Sequence, residues 1–188
     1  MCIRDSLRPD EWSDARSTRE IVDGIERVVM KYNVVSLAID TGQGSHLIVE
    51  MMNRPSFDRV TIYPIDFGGR PTPEKVASHV DTALMARNRR AEMHLVLRQL
   101  MQENKVVFAS EIKETLLTQM RAIQLKNKEL DKVTLIGKDV IRQVLKRSPD
   151  DLDAVILAVH ALELYILGVE GGNSVSYTHL TLPTICSV

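Results

Sequence analysis

A short apolar run that ends in an aspartate constrains this fold more than any other part of the chain. Val34 to Ile39 shows no alternation of polar and apolar side chains, which predicts a strand buried on both faces, as in parallel sheets. Asp40 closes the run, and Gly42 and Gly44 follow it closely enough to allow a tight exit. Asp40 is therefore expected at the carboxyl end of a strand, where open α/β sheets bind their ligands.

The first turn of a later helix carries a second cluster of acids. Ser148 is the expected N-cap, with Pro149 at the first helical position. Asp153 lies three residues beyond Asp150 on the same helix face, and it precedes the run 154–159, which is apolar all round and predicts packing on the sheet. A carboxylate there needs a partner or a cation, because burying an unpaired charge is costly.

Two carboxylates at element ends, each with apolar support, suggest a site for divalent metal ions. Mg²⁺ or Mn²⁺ would fit, since both are hard cations that prefer carboxylate and water oxygens. For each acid alone a structural role stays open, with Asp40 as a turn former and Asp153 as a helix cap. With Ser148 as the cap, Asp153 has no structural role, which favours the metal site. The histidines His46, His79 and His94 have no ligand-spaced partner and are interpreted as packing or surface residues.

Predicted helices and strands alternate along the chain, which indicates an α/β fold. The predicted helices are 18–32, 45–52, 72–104 with a break near 87–90, and one capped by Ser110; the predicted strands are 34–39, 59–65, 106–108 and 133–136. Pro64 suggests that its strand is an edge strand or ends there. Asp66 follows that strand and is expected to be a loop acid, with a metal role less favoured.

Composition and charge limit the classes of function. With 188 residues, 44% of them hydrophobic, the chain can bury one core and is expected to form one domain. A net charge of −1 alone gives no reason to expect nucleic acid. Residues 121–147, however, hold eight basic and three acidic side chains, an excess of five positive charges. This stretch could contact a phosphate backbone, although a solvated face is equally compatible with it.

Several other classes of protein are disfavoured. Both cysteines, Cys2 and Cys186, lie near the ends of the chain, so no disulfide framework is expected in its body. No run of about 18 apolar residues exists, which argues against a membrane span. The pattern Gly-x4-Gly-Lys-Ser/Thr is absent, so we expect no ATP site on this chain.

Four segments together resemble the nuclease domain of tailed-phage terminase large subunits, in order and spacing as well as identity. They are 36–44, Asn88-Arg89-Arg90-Ala91-Glu92-Met93, Gly137-Lys138-Asp139 and 148–154. The resemblance covers about Thr18 to Leu167. It implies a ribonuclease-H-like fold, a mixed sheet flanked by helices, that cuts concatemeric double-stranded viral DNA with two Mg²⁺ or Mn²⁺ ions. It also implies a separate ATPase domain, the portal protein and the small terminase subunit as partners, and a location in the cytoplasm of a bacterial host without membrane association.

The resemblance assigns roles to individual residues. Asp40 matches the family's second catalytic acid and Asp153 its last, and Asp150 is a one-turn neighbour that serves as an outer or alternate metal ligand. Lys138, Arg89 and Arg90 are candidate contacts for DNA, although structural ion pairs are at least as compatible with the two arginines. The family's first acid lies on a strand before the first helix, and this sequence has no such strand. We therefore expect an incomplete sheet, with its first strands missing, and impaired cleavage.

Both ends of the chain look like translated sequencing-adaptor read-through, at residues 1–6 and 174–188. Residues 7–173 are then interpreted as a partial nuclease domain. Two other functions stay open. One is another ribonuclease-H-like nuclease, such as a Holliday-junction resolvase, and the other is a catalytically silent DNA-binding or docking module that needs only the basic stretch.

Overall fold

The computed structural model describes residues 17–73, 77, 79–126 and 132–169, so the two adaptor-like ends lie outside the described residues. Within them, helices and strands alternate in a mixed α/β order. The elements are α1 (Thr18–Tyr32), β1 (Ser36–Asp40), α2 (Thr41–Met52), β2 (Thr61–Ile65), α3 (Val80–Met85), α4 (Arg89–Gln102), α5 (Ser110–Ala122), β3 (Leu125–Lys126), β4 (Thr134–Leu135), α6 (Lys138–Leu145) and α7 (Asp150–Ile166). No helix in this part of the chain is long and apolar enough to cross a membrane.

Strands β1 and β2 run parallel, in a register that pairs Asp40 with Ile65. Both strands therefore end at the same edge of the sheet, which we call the carboxyl edge. The strand predicted at 34–39 is confirmed, displaced by one or two residues, and so is the strand predicted at 59–65. Pro64 lies opposite Ile39 and is exposed. Among the described residues β1 and β2 form a two-stranded sheet, so each is an edge strand, where a proline is tolerated.

Helices α1 and α2 pack against each other, and α2 also covers both strands. The first helix begins and ends where predicted. At its start, Ser17 and Glu20 form a capping box in which the Ser17 N–H donates to the Glu20 carboxylate at 2.8 Å. Arg54 joins the two helices through ion pairs with acids on both. Its guanidinium lies 2.5 Å from Asp23, 2.8 Å from Glu26 and 2.9 Å from Glu50.

The main hydrophobic core is built largely from β2, α4, α5 and α7. Its buried members are Tyr63, Ile65, Phe67, Met93, Leu97, Leu116, Leu152, Val155, Ile156, Ala161 and Leu164. Helix α7 packs on β1 as well as on α4 and α5, which confirms that the apolar run of this helix faces the sheet. Each large side chain buried here stabilises the fold by about 1.5–3 kcal/mol. This core therefore holds α7 firmly against the strand that carries Asp40.

The helix predicted from residue 72 begins later than expected. Thr72 and Pro73 are not helical, and α3 begins only at Val80. The backbone N–H of Thr72 instead donates to the buried Glu92 carboxylate at 2.7 Å, which ties this segment to α4. The predicted break near 87–90 is confirmed, because α4 begins at Arg89.

Other boundaries also differ from the prediction. Residues 106–108 do not form a strand; Val106 and Phe108 pack against the core from an irregular connection. Ser110 is the first residue of α5 and not its cap, and its hydroxyl donates to the Glu111 carboxylate at 3.1 Å. The last predicted strand is confirmed as β4, but its antiparallel partner β3 was not predicted. Helix α2 follows β1 without a loop and begins four residues before the predicted start.

Candidate active site at the carboxyl edge

Asp40 ends β1 and at the same time caps α2. Its Oδ1 accepts the N–H of Gly42 at 3.0 Å, so the structural role as a turn former that the sequence left open for Asp40 is present. A Cβ on Gly44 would lie 2.4 Å from the Cγ2 of Ile39, so only glycine allows α2 to approach the strand this closely. The tight turn therefore holds the Asp40 carboxylate, which is partly exposed, at the carboxyl edge.

The loop after β2 forms the neighbouring part of this edge. Asp66 is a loop acid, as expected, and its Oδ1 accepts the N–H of Gly68 at 2.8 Å. The start of α4 is joined to this loop, because the N–H of Arg90 donates to the Phe67 carbonyl at 3.1 Å. Asn88 caps α4 by accepting the N–H of Ala91 at 2.9 Å. The segment 88–93, which carries part of the resemblance, thus begins a helix directly beside the carboxyl edge.

Asp153 is the buried acid of the site. Only 6% of its surface is exposed, and its Oδ2 lies 2.7 Å from Lys138 Nζ. The Nε of Arg90 is 3.9 Å from Oδ1. Lys138 Nζ also stands 4.6 Å from the centre of the Phe67 ring. Since Phe67 lies two residues beyond Ile65, the register partner of Asp40, Lys138 and Asp153 lie beside the loop that follows β2.

Burial governs the charges around Asp153. Desolvation lowers the pKa of Arg90, and the nearby Asp153 opposes that shift. Burial, and then the positive charges of Arg90 and Lys138, lower the pKa of His94 to about 3, so this imidazole is neutral at physiological pH. His94 is therefore a partly buried neutral side chain beside two cations, in line with its interpretation as a packing residue.

The polar groups of this cluster are incompletely satisfied. Both oxygens of Asp153, and the Nε and one terminal nitrogen of Arg90, have no hydrogen bond of good geometry among the described residues. The short contact between Lys138 and Asp153 therefore acts mainly through charge. Buried carboxylate oxygens without hydrogen bonds are rare in folded proteins, and they commonly mark a place for a water, an ion or a catalytic role.

The start of α7 is built differently from the prediction. Pro149, and not Ser148, occupies the N-cap position, and no side chain of the cap residue bonds the first turn. The argument that Ser148 leaves Asp153 without a structural role is therefore wrong, because Asp153 pairs with Lys138 and Arg90. Asp150 is exposed at the first helical position.

Gln119, which the sequence reading missed, bonds the first turn of α7 from the neighbouring helix α5. Its Oε1 accepts the N–H of Leu152 at 2.7 Å, and its Nε2 donates to Asp151 at 2.6 Å. A weak signal existed in the sequence. Gln119 lies three positions after the core residue Leu116, so it interrupts the apolar face of its helix.

The candidate DNA contacts are engaged inside the protein. Arg89 donates to the Arg70 carbonyl at 3.1 Å and lies 3.2 Å from His160 Nε2. Arg90 donates to the carbonyl of Ile136 at 3.3 Å and is 8% exposed. Lys138 retains a partly exposed side chain, 31% of its surface. Binding of DNA by these residues stays a prediction.

One histidine interpreted as a packing or surface residue has a charged partner. His79 Nε2 lies 3.1 Å from Glu163 on α7, so this histidine connects the start of α3 to the closing helix.

Carboxylates at this edge fit hard metal ions by their chemistry, but they do not yet form a complete ligand set. Across residues 17–73, 77, 79–126 and 132–169, no group of three or more Asp, Glu, His or Cys side chains is arranged to hold a metal ion. The candidate site comprises Asp40 at the end of β1, Asp153 on α7, and Lys138, whose Nζ lies 2.7 Å from Asp153.

No protein-family model matches this sequence, and no curated protein matches it either. Solved structures do. A lysine-to-alanine mutant of gp2c of the large terminase subunit from bacteriophage Sf6, with calcium, superposes with a TM-score of 0.57 at 18% identity over 74% of this chain and 70% of that chain. The nuclease domain of the large terminase subunit gp2 of bacterial virus Sf6 gives 0.54 at 17% identity over 74% and 70%.

A mutant of that nuclease domain with manganese gives 0.54 at 16% identity over 74% of this chain and 71% of that chain. The chain therefore has the ribonuclease-H-like α/β fold of terminase nuclease domains, which confirms the predicted fold class.

Proposed function

We propose that this chain is the nuclease domain of a phage terminase large subunit, a metal-dependent endonuclease that hydrolyses phosphodiester bonds of concatemeric double-stranded DNA. The observation that carries the proposal is the link from Asp153 through Lys138 to Phe67 at the carboxyl edge. Because Phe67 follows the strand that pairs with β1, this link supports a position of the buried acid of α7 near the strand end that holds Asp40. The shared fold with terminase nuclease domains supports the same conclusion.

Asp40 and Asp153 would hold the divalent ions, with Asp150 as an outer or alternate ligand. Carboxylate oxygens are the donors that Mg²⁺ and Mn²⁺ prefer. The oxygens of Asp153 have no hydrogen bond of good geometry, and an ion would bind them in competition with Lys138, which lies 2.7 Å from Oδ2. When bound, two such ions supply an activated water and stabilise the leaving 3′ oxygen of the DNA strand. The manganese and calcium in the neighbouring Sf6 structures agree with this choice.

The chain's own residues then have defined tasks. Lys138 and Arg90 offset the charge of Asp153 and hold its carboxylate toward the carboxyl edge. Because the Lys138 side chain is partly exposed, its ammonium can leave Asp153 and contact a DNA phosphate once an ion takes over the carboxylate. Arg89 has the same role in the proposal only if its internal contacts with Arg70 and His160 open.

The wider setting follows from the same proposal. The substrate is double-stranded DNA, the partners are the portal protein and the small terminase subunit, and the place of action is the cytoplasm of a bacterial host. Packaging would need an ATPase domain, for which this sequence has no P-loop.

A catalytically silent DNA-binding module is the second candidate function. It is favoured by one observation, namely that a lysine already neutralises Asp153 while no set of three ligands is present in the described part of the chain. A module of this kind would bind DNA through the basic stretch and take up no metal at the carboxyl edge.

Manganese binding separates the two candidates. We expect electron paramagnetic resonance titration to show Mn²⁺ bound by the wild-type chain and bound at least about tenfold more weakly after Asp40→Asn or Asp153→Asn. Asp139→Asn is the matched control, because its side chain is 92% exposed and adjacent in sequence to Lys138. Equal Mn²⁺ affinity in all four proteins would rule out the nuclease proposal and favour the silent module.

A further inference from the structure

We infer that Gln119 is a positioning residue for the proposed nuclease, because it sets the first turn of α7 and through it the place of Asp153. The inference rests on the proposed function, which gives Asp153 its role as a metal ligand. Gln119 itself lies on α5, touches neither the proposed ions nor the DNA, and acts only through the neighbouring helix.

Gln119 is completely buried, and both ends of its amide are used. The Oε1 atom accepts the N–H of Leu152 at 2.7 Å, and the Nε2 atom donates to Asp151 Oδ2 at 2.6 Å. The buried amide of Gln119 thus makes two hydrogen bonds to the same turn, one to the backbone and one to a side chain. Together they restrict both the translation of this turn along the helix axis and its rotation about that axis. Its carboxylate partner Asp151 also lies 3.4 Å from Arg147.

The first turn of α7 needs such a partner. Backbone N–H groups at the start of a helix have no acceptor within the helix, and Pro149 at the N-cap position provides no capping side chain. The N–H of Asp153 is the first to bond within the helix, to the Pro149 carbonyl at 2.9 Å. Leu152 comes just before it and is fully buried, so water cannot replace the Gln119 carbonyl.

Asp153 follows Leu152 directly, so the bond from Gln119 ends one residue away from the proposed ligand. A carboxylate 2.7 Å from Lys138 changes that contact if the turn rotates or shifts. Metal affinity is sensitive to such outer partners, whose loss commonly weakens binding 10–100-fold. Gln119 is therefore expected to control metal affinity without being a ligand.

An exchange of donor and acceptor tests this role. Gln119→Glu keeps an oxygen for the N–H of Leu152 but places a second carboxylate against Asp151. Adding Asp151→Asn restores a donor opposite that carboxylate, with side chains of nearly unchanged size. Leu116→Val, one turn earlier on α5 and also fully buried, removes one methylene from the core but leaves both hydrogen bonds of Gln119 in place.

The readout is the broadening of amide signals by Mn²⁺ in the ¹⁵N-labelled full chain, together with melting by circular dichroism. We expect the wild-type signals of Asp40, Asp153 and Ala154 to broaden first. Gln119→Glu should require about tenfold more Mn²⁺ for the same broadening, and the double variant should return close to the wild-type titration. Leu116→Val should lower the melting temperature while its Mn²⁺ titration stays at the wild-type value.

Two results would overturn the inference, and a third would overturn the proposed function on which it rests. A wild-type titration for Gln119→Glu would show that the bond does not position Asp153. A weakened titration that Asp151→Asn fails to restore would show that the glutamine matters only for packing. Absence of broadening near Asp153 in the wild-type chain itself would instead refute the proposed function, and the unmutated protein makes that failure distinguishable from the other two.

Discussion

Replacing Lys138 with methionine is the most informative single perturbation of this site. The substitution keeps a long apolar stem against Phe67 but removes the ammonium that lies 2.7 Å from Asp153. At that distance and an effective dielectric constant near 20, the gross attraction is about 6 kcal/mol. Desolvation of both groups offsets most of it, so the net effect has to be judged from burial.

Removal of one partner from a fully buried ion pair costs about 3–5 kcal/mol. The Lys138 side chain is 31% exposed and Arg90 remains 3.9 Å from the same carboxylate, which places the expected loss lower, at about 1–3 kcal/mol of unfolding free energy. Mn²⁺ should have the opposite effect. Because the ammonium and the ion compete for Asp153, Lys138→Met should bind Mn²⁺ more tightly than the wild type.

Urea unfolding with and without MnCl₂ measures both effects. The variant should be less stable than the wild type without the ion and should regain stability as Mn²⁺ is added, by about 2.7 kcal/mol at a hundredfold excess over its dissociation constant. Lys113→Met, an exposed lysine on α5, is the control and should change neither quantity. Weaker Mn²⁺ binding by Lys138→Met would refute the competition argument and would show that the lysine orients Asp153 for the ion.

Two further predictions concern the fold around the site. Gly44→Ala should lower the unfolding free energy by about 1–3 kcal/mol, because its Cβ would lie 2.4 Å from Ile39 Cγ2. The matched control is Gly137→Ala, where a Cβ meets nothing within 4 Å. Equal melting temperatures for the two variants would contradict the packing argument. The pKa of His94 is about 3 in the folded protein, against an ordinary value of 6.5. The folded state therefore binds this proton less readily than the unfolded state. The contribution of neutral His94 to the unfolding free energy is full above pH 6.5 and is lost as the pH falls toward 3. Between pH 6.5 and 5.5 the loss should be about 1 kcal/mol. His94→Gln should remove that part of the pH dependence in urea unfolding, and an unchanged slope would contradict it.

Much of the carboxyl edge was predictable because local patterns encode it. The apolar run before Asp40 has the composition of a strand in a parallel sheet, and it forms one whose end is that aspartate. The apolar run after Asp153 likewise packs on the sheet. In both segments the predictive pattern is a run of consecutive apolar residues. Such a run is buried whichever helix or strand packs against it.

The connections between elements were less predictable. The segment 106–108 has strand-forming residues but lies in an irregular connection, because contact with the core satisfies its apolar side chains without a sheet. Ser110 and Ser148 are good caps by residue type, but neither caps its helix. Cap preferences are worth only about 1 kcal/mol, so packing of the whole helix can override them.

The amino-acid order by itself determined which segments are buried and where acids stand at their ends, since periodicity and apolar runs act over a few residues. Only the tertiary structure decided which groups meet those acids. Lys138 reaches Asp153 from α6, and Gln119 reaches the same turn from α5. Such contacts join residues 15 to 33 positions apart, and their geometry depends on how whole helices pack, which no local pattern in the chain specifies.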